Sequence, residues 1–359
     1  MTFYKNPNYH AATYPTEHMP EDEVAGLTQA AGAEIPFVDK LEISFYPEEQ
    51  PMWLKFQAGQ LDFTTVPAVF FRQAFFKRNK ELRPAWKEAG ITSQPVPLLD
   101  FIFHGFNMED ELLGGYKPEN KALRQAISLA IDLEEINQSF YEGINQIYDG
   151  PIPPGLAGYP EEGRAPHSYR GRDLARAREK LVEAGYPNGK GLPPIDYYTS
   201  RSGINQQMSE MLSRQLGDVG IELSVKLVDF GTLISNVNNK KAPLFSFAWG
   251  SDYPDAENNL ALFYGPYESP GSNHYNYKNP EYDKLYEQIR SMPPSPERDE
   301  IYVQMRDMLL EDVPYIGSMA RTRYYLIHPR LKNVKAAEVF SNWYKYLDID
   351  QETPRMNIE

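Results

Sequence analysis

Residues 244–260, LFSFAWGSDYPDAENNL, join an apolar strand to an acidic loop. LFSF is a short apolar run with two aromatic rings, which is typical of a buried strand. The sequence then continues with a tryptophan, a glycine and three acids: Trp249, Gly250, Asp252, Asp255 and Glu257. A buried strand ordinarily ends in a turn that leads to a helix. An aromatic ring and carboxylates at this point indicate a binding position at the end of the strand.

The segments around this stretch alternate between strand and helix patterns. Strands are predicted over 97–107, 194–199, 221–228, 244–249, 315–319 and 322–327, and helices over 122–140, 173–184, 203–218 and 230–238. Two further helices are predicted to begin at Asn279–Pro280 and Ser295–Pro296, each a cap residue followed by proline in the first turn. Nearer the N-terminus, 41–48 alternates as a half-buried strand. This order predicts an α/β domain with a largely parallel sheet.

In such a sheet, ligands bind beyond the carboxyl ends of the strands, so we expect the segment 249–252 to contact one. Gly250 would let a ligand approach the backbone closely, and Trp249 would supply a flat apolar wall. Asp252 would pair with a cation such as an ammonium group. The alternative is structural: Asp252 or Asp255 caps the helix that follows, with Pro254 in the turn between them.

The composition excludes several classes of protein. The 359 residues carry a formal net charge of −14, whereas nucleic-acid binding requires a basic surface. The chain contains no cysteine, so disulfides, thiolate metal sites and cysteine nucleophiles are excluded. No run of 18 apolar residues suggests a membrane span, and residues 1–10 lack the pattern of a signal peptide.

Other candidates for chemistry are weaker. The six histidines are scattered without metal-ligand spacing, and no cofactor motif occurs, so we predict neither a metal nor a cofactor. His104, near the end of an apolar strand, is either a hydrogen-bonded buried histidine or a ligand contact. Arg201, in the loop after the strand 194–199, is either a ligand-carboxylate clamp or a solvated arginine. Asp252 and Asp255 could also form the carboxylate pair of a carbohydrate-active hydrolase flanked by Trp249 and Tyr253.

Several stretches in collinear order resemble one family, the extracellular solute-binding proteins, family 5, that serve ABC importers of oligopeptides and dipeptides. The stretches are YKNPNYH (4–10), LKFQAGQLDFTTVP (54–67), ALRQAISLAID (122–132), GPIPPG (150–155), GIELSVKLVDFGTL (220–233), AWGSDYPDAEN (248–258), NPEYDKL (279–285) and EDVPYI (311–316). Each motif alone is weak, but the series covers nearly the whole chain.

The resemblance implies a periplasmic-binding-protein-like α/β fold of type II, with two lobes that close on a ligand. Family sequences begin earlier than this one, so we expect lobe one to be incomplete and its N-terminal part to be absent. Residues 1–105 with 328–359 would form the remaining part of lobe one. Residues 106–327 would form lobe two.

The resemblance also implies a non-catalytic role in transport. Asp252 matches the family aspartate that pairs with the ligand's α-ammonium, and Trp249, Gly250 and Ser251 match the segment that lies along the ligand backbone. Arg201 falls near a position that holds the ligand carboxylate in some dipeptide binders. The implied partners are a small peptide and the membrane permease subunits of an ABC transporter, at the periplasm or the extracellular surface. Three alternatives stay open: a non-peptide solute such as a sugar or a nickel complex, the hydrolase, and an interaction module without a pocket.

Overall fold

A computed structural model describes residues 1–166, 168–337, 339 and 341–358 of the chain. The strands are β1 (Thr2–Tyr4), β2 (Lys40–Glu42), β3 (Phe63–Thr65), β4 (Thr92–Pro97), β5 (Asp100–Phe106), β6 (Gln146–Ile147), β7 (Ile195–Ser200), β8 (Leu223–Val228), β9 (Leu244–Gly250), β10 (Tyr315–Ala320), β11 (Thr322–Ile327), β12 (Leu331–Lys332) and β13 (Asp348–Ile349). The helices are α1 (Pro20–Val24), α2 (Glu49–Gln57), α3 (Phe71–Ala74), α4 (Pro84–Glu88), α5 (Pro118–Ala130), α6 (Leu133–Phe140), α7 (Leu174–Glu183), α8 (Gly203–Gly217), α9 (Phe230–Asn238), α10 (Ala256–Leu260), α11 (Pro280–Ile289) and α12 (Pro296–Asp312). The chain is therefore a mixed α/β protein, as predicted.

The chain divides into two compact units. Met1–Pro97 and Thr322–Glu359 form the first, and Leu98–Arg321 form the second. The predicted lobes divide instead after residue 105 and after residue 327. The structural division lies before β5 because β5 is paired along its whole length with β9 of the second unit.

The main sheet of the second unit is mixed rather than largely parallel, so that expectation is wrong. Among the described residues the sheet has six strands in the order β6-β10-β5-β9-β7-β8. Only β7 pairs in parallel, with β8 and with β9, because α8 and α9 cross over between successive strands there. In the centre of the sheet, β5 pairs antiparallel with β9 on one side and with β10 on the other.

Two apolar cores cover the sheet. One packs α5 to α8, with Ala126, Leu181 and Leu216 among its buried side chains. The other packs α9 to α12 and contains Phe101 and Phe103 of β5. Ile102, between those two phenylalanines, packs on the first core. Successive side chains of β5 therefore point to opposite faces, and both faces of the sheet are buried.

Local capping signals set where the helices begin. Asn279 accepts hydrogen bonds from the first turn of α11, and Ser295 accepts one from Arg298 N–H of α12, which confirms both predicted starts. The helix predicted over 122–140 is two helices, because Asp132 leaves the helical conformation and caps α6 through Glu135 N–H. The apolar pattern continues across this break.

The first unit is built from short strands. β1 pairs with β2, β4 and β3 flank β11, and β12 pairs with β13. The strand predicted over 41–48 is present only as β2, since β1 offers three residues to pair with. Phe45, an apolar residue of that predicted half-buried strand, is 73% exposed. In the described part of the chain, no helix is long and apolar enough to cross a membrane.

Candidate functional site

The candidate site lies in the second unit, where the carboxyl ends of β7, β8 and β9 meet at one end of the sheet. β7 and β8 stay paired up to Ser200 and Val228. β7 and β9, by contrast, pair only at Tyr197–Leu244 and Tyr198–Phe245. Beyond Phe245 the two strands separate, and β9 continues to Gly250 paired with β5 alone. Among the described residues, no strand pairs with the other edge of residues 246–250.

A cavity of about 530 Å³ opens where these strands separate. Its walls come from the strands β5, β7, β9 and β10, the helices α6, α8 and α9, and parts of the segment 262–275, all within the second unit. Aromatic and apolar side chains form much of the lining, including Phe230, Phe247, Trp249 and Met208, and hydroxyl groups come from Thr199, Ser200 and Ser246. A cavity of this size with a few polar groups among apolar walls is typical of a small-molecule site.

Two of the predicted site residues, Trp249 and His104, line this cavity. His104 lies inside β5 and is 8% exposed, and its Nδ1 lies 3.1 Å from the Tyr197 hydroxyl. Burial lowers the pKa of His104 to about 4, so the imidazole is neutral near pH 7. His104 is thus a buried, hydrogen-bonded histidine that also borders the cavity.

The three acids of the opening stretch have different surroundings. Asp255 caps α10 by accepting from Glu257 N–H, and it pairs with Arg298 at 2.7 Å and with the Tyr302 hydroxyl at 2.6 Å. Burial raises the pKa of the Asp255 carboxyl, but these hydrogen bonds and the guanidinium outweigh it and hold the pKa below its usual value. The structural alternative therefore applies to Asp255.

Glu257 is half-buried and is engaged by two tyrosines. Its two carboxylate oxygens accept short hydrogen bonds from the hydroxyls of Tyr253 and Tyr286. Burial, with the Glu257 hydrogen bond next, raises the pKa of Tyr253 to about 12. Tyr253 is 44% exposed, so its ring stays accessible beside the loop while its hydroxyl is engaged.

Asp252 is exposed and does not cap α10. Its backbone N–H donates to Asn258 Oδ1 over 3.1 Å, and its Oδ2 accepts from Asn258 Nδ2 over 3.2 Å. Asp252 is therefore the acid of the stretch that keeps an open carboxylate in a defined position.

The remaining predicted residues lie at the same end of the sheet but do not line the cavity. Ser251 is tied to the start of β5, since its N–H donates to Leu99 O over 2.9 Å. Gly250 is exposed, and a Cβ there would meet only Asp100 Oδ1 at 3.7 Å. The fold itself therefore does not require glycine at this position. Arg201 is exposed and donates to Leu227 O over 3.1 Å, which keeps its guanidinium at the end of β8.

Several residues of the site were not found from the sequence. Arg321 lines the cavity and forms an ion pair with Asp100, the residue opposite Gly250. His274 packs edge-on against Phe247, with ring centroids 5.2 Å apart. Nothing local links Arg321 or His274 to the strand ends. Asn258, by contrast, lies in the stretch 244–260 itself. An amide side chain six residues after Asp252 was the sequence feature that could have indicated its contact with that residue.

The described residues contain no group of three or more His, Cys, Asp or Glu side chains placed to hold a metal ion. His167 lies outside those residues.

Comparison with known proteins gives the family. The model for bacterial extracellular solute-binding proteins, family 5 Middle, matches residues 1–271, and the chain belongs to this family. It is 25% identical over 294 residues to the oligopeptide-binding protein AppA of Bacillus subtilis (78% of this chain, 50% of AppA). It is 24% identical over 256 residues to heme-binding protein A of Haemophilus influenzae (70% of this chain, 43% of that protein).

Solved structures show the same fold. The periplasmic binding protein DppA of Helicobacter pylori, in complex with the peptide STSA, superposes with a TM-score of 0.70 at 21% identity and covers 87% of this chain and 57% of DppA. The predicted periplasmic-binding-protein-like architecture is thereby confirmed. The chain spans about half the length of the relatives described here.

Proposed function

We propose that this chain acts without catalysis as the solute-binding component of an ABC importer and binds short peptides with a free amino terminus. One observation carries the proposal: the open Asp252 carboxylate, the free edge of β9 over residues 246–250 and the cavity all lie at the same end of the sheet. Relatives support the peptide class: one is named an oligopeptide-binding protein, and a structure with the same fold holds a peptide.

Asp252 would receive the α-ammonium group of the peptide. An ammonium–carboxylate hydrogen bond is stronger than a neutral one, and Asp252 has no cationic partner among the ion pairs of the described residues. The two neighbouring acids are already engaged with Arg298 and with two tyrosine hydroxyls. The charge left for a ligand is therefore that of Asp252.

The free edge of β9 would bind the peptide backbone. An extended peptide adds to a sheet edge through main-chain hydrogen bonds, and residues 246–250 lack a partner strand on the side of β7. Gly250 would allow close approach of that backbone, and Trp249 would pack against it. Arg201, at the end of β8, would be placed for the carboxylate of a short peptide.

The cavity would accept an uncharged side chain. Its lining is largely apolar and aromatic; within the described lining the permanent charge is Arg321, which is already paired with Asp100. Burial lowers the pKa of both His104 and His274, so both rings are neutral near pH 7. Transfer of a charged side chain into such walls costs free energy. We expect peptides with an aromatic or aliphatic side chain to bind more tightly than the same peptides with Asp, Glu or Lys.

The family setting extends the proposal to partners and location. The partners would be the membrane permease subunits of the importer, and the site of action the periplasm or the extracellular surface.

Native mass spectrometry of the freshly purified protein tests the proposal. We expect mass additions that match short peptides, and we expect tri- to pentapeptides to raise the melting temperature of the ligand-free protein. Asp252→Ala would reduce both effects. A protein that carries no peptide and shows no thermal shift with any of these peptides would overturn the peptide assignment.

A glycoside turnover assay separates the proposal from the hydrolase alternative. A general acid needs a raised pKa, whereas that of Asp255 is lowered. We expect no turnover by the wild-type protein. Turnover that is lost in Asp252→Asn would contradict the non-catalytic assignment.

A further inference from the structure

We infer that Asn258 is the positioning residue of the site, which holds the Asp252 carboxylate and the Trp249 ring in one fixed arrangement. The inference rests on the proposed function, in which these two residues contact the ligand.

One amide group joins both contact residues. Asn258 Oδ1 accepts from Trp249 Nε1 over 2.9 Å and from Asp252 N–H over 3.1 Å. Asn258 Nδ2 donates to Asp252 Oδ2 over 3.2 Å. Trp249 lines the cavity and Asp252 lies outside it, so Asn258 links the wall of the cavity to the charge at its edge.

The orientation of the amide is set by its partners. The indole Nε1–H and the backbone N–H are donors only, and the carboxylate oxygen is an acceptor only. If the amide oxygen and nitrogen were exchanged, the amide N–H groups would face the two N–H donors of Trp249 and Asp252. The amide oxygen would then face the carboxylate of Asp252, and all three hydrogen bonds would be lost. A single orientation of Asn258 satisfies all three contacts, and an aspartate or a leucine at this position would satisfy fewer.

Asn258 is itself held firmly. It is 7% exposed and lies in the first turn of α10. The Asp255 cap of that helix is bound by Arg298 and Tyr302 of α12. Contacts with α12 therefore hold α10 in place, and Asn258 of α10 in turn holds the loop that carries Asp252. A ligand-binding carboxylate on an exposed loop gains precision when a buried side chain fixes it.

The first experiment examines the indole group without any ligand. In the two-dimensional ¹H–¹⁵N NMR spectrum, the Trp249 indole resonance is assigned from its loss in Trp249→Phe. We expect Asn258→Ala and Asn258→Leu to shift that resonance, while Asn107→Ala leaves it in place. Asn107 is a matched control because it is 4% exposed and makes three hydrogen bonds elsewhere in the second unit. An unmoved resonance in both Asn258 variants would overturn the inference.

The second experiment measures the preference for a free amino terminus. One aromatic tripeptide and its N-acetylated form are titrated into each protein by calorimetry. We expect Asn258→Ala and Asn258→Leu to weaken binding of the free-amine peptide about tenfold more than binding of the acetylated peptide, because the acetylated peptide keeps its contact with Trp249 but does not pair with Asp252. Asn107→Ala would keep the wild-type preference. The leucine variant keeps the side-chain volume, so the test stands even if the alanine variant does not fold.

The two proposals fail in different ways. If the wild-type protein shows no preference that depends on Asp252, the proposed function fails, and the indole measurement still tests Asn258. If Asp252→Asn abolishes the preference and both Asn258 variants retain it, the positioning role is refuted and the proposed function stands.

Discussion

At the scale of single residues, the partner of a side chain decides its role in this site. Asp252, Asp255 and Glu257 lie within six residues of sequence. The sequence marked the stretch and offered both roles, cap and ligand contact. It could not assign them, because Arg298, Tyr302 and Tyr286, which engage Asp255 and Glu257, come from α11 and α12. Those contacts are not visible in any local pattern.

Substitution of Asp255 is expected to lower the stability of the protein much more than substitution of Asp252. Asp255→Asn would leave Arg298, which is 7% exposed, without the carboxylate that it pairs with, so the free energy of unfolding should fall by about 2–4 kcal/mol. Asp252→Asn should change it by less than about 0.5 kcal/mol. Urea denaturation of the two variants measures the difference. Equal losses would mean that Asp252 is also structural.

His104 should make stability depend on pH. Its pKa is about 4 in the folded protein and about 6.5 when exposed. The unfolded chain therefore binds the proton first, and stability falls as the pH drops from 6.5 toward 4. Between pH 7.5 and 4.5, the wild-type protein should lose about 2–3 kcal/mol more than His104→Gln. Parallel losses measured by urea denaturation would show that His104 is not the group responsible.

At the scale of elements, local sequence signals predicted where helices begin, but they did not predict how distant strands pair. The caps at Asp173, Asn279 and Ser295 begin α7, α11 and α12 because capping involves residues two or three apart. The break at Asp132 was missed because the apolar periodicity runs through it. Strand direction was missed in the centre of the sheet, since every residue of β5 pairs with a residue at least 138 positions away in sequence, from Phe106 with Leu244 upward.

The free edge of β9 predicts a change in hydrogen exchange. We expect amides of residues 246–253 to exchange more slowly when a bound peptide adds to this edge. β8 serves as the internal control, because it lies at the far edge of the same sheet beyond β7. Exchange followed by mass spectrometry, with and without peptide, provides the measurement. Unchanged exchange over 246–253 under saturating peptide would exclude backbone pairing at this edge.

At the scale of the whole molecule, the sequence predicted the family and the α/β architecture but placed the unit boundaries differently. The family could be predicted because eight weak motifs occur in collinear order over most of the chain. The structural divisions at Pro97/Leu98 and Arg321/Thr322 depend on which sheet each strand joins. β5 joins β9, and β11 joins β3 and β4, so adjacent strands of the chain fall in different units.

The role proposed for the Asp252 carboxylate is to bind the free amino group of a peptide. A calorimetric cycle tests it most directly, with wild-type protein and Asp252→Asn each titrated with one tripeptide in free and N-acetylated form. Acetylation should weaken binding to the wild-type protein about ten- to a hundredfold and should barely affect binding to Asp252→Asn. Equal discrimination by both proteins would contradict it.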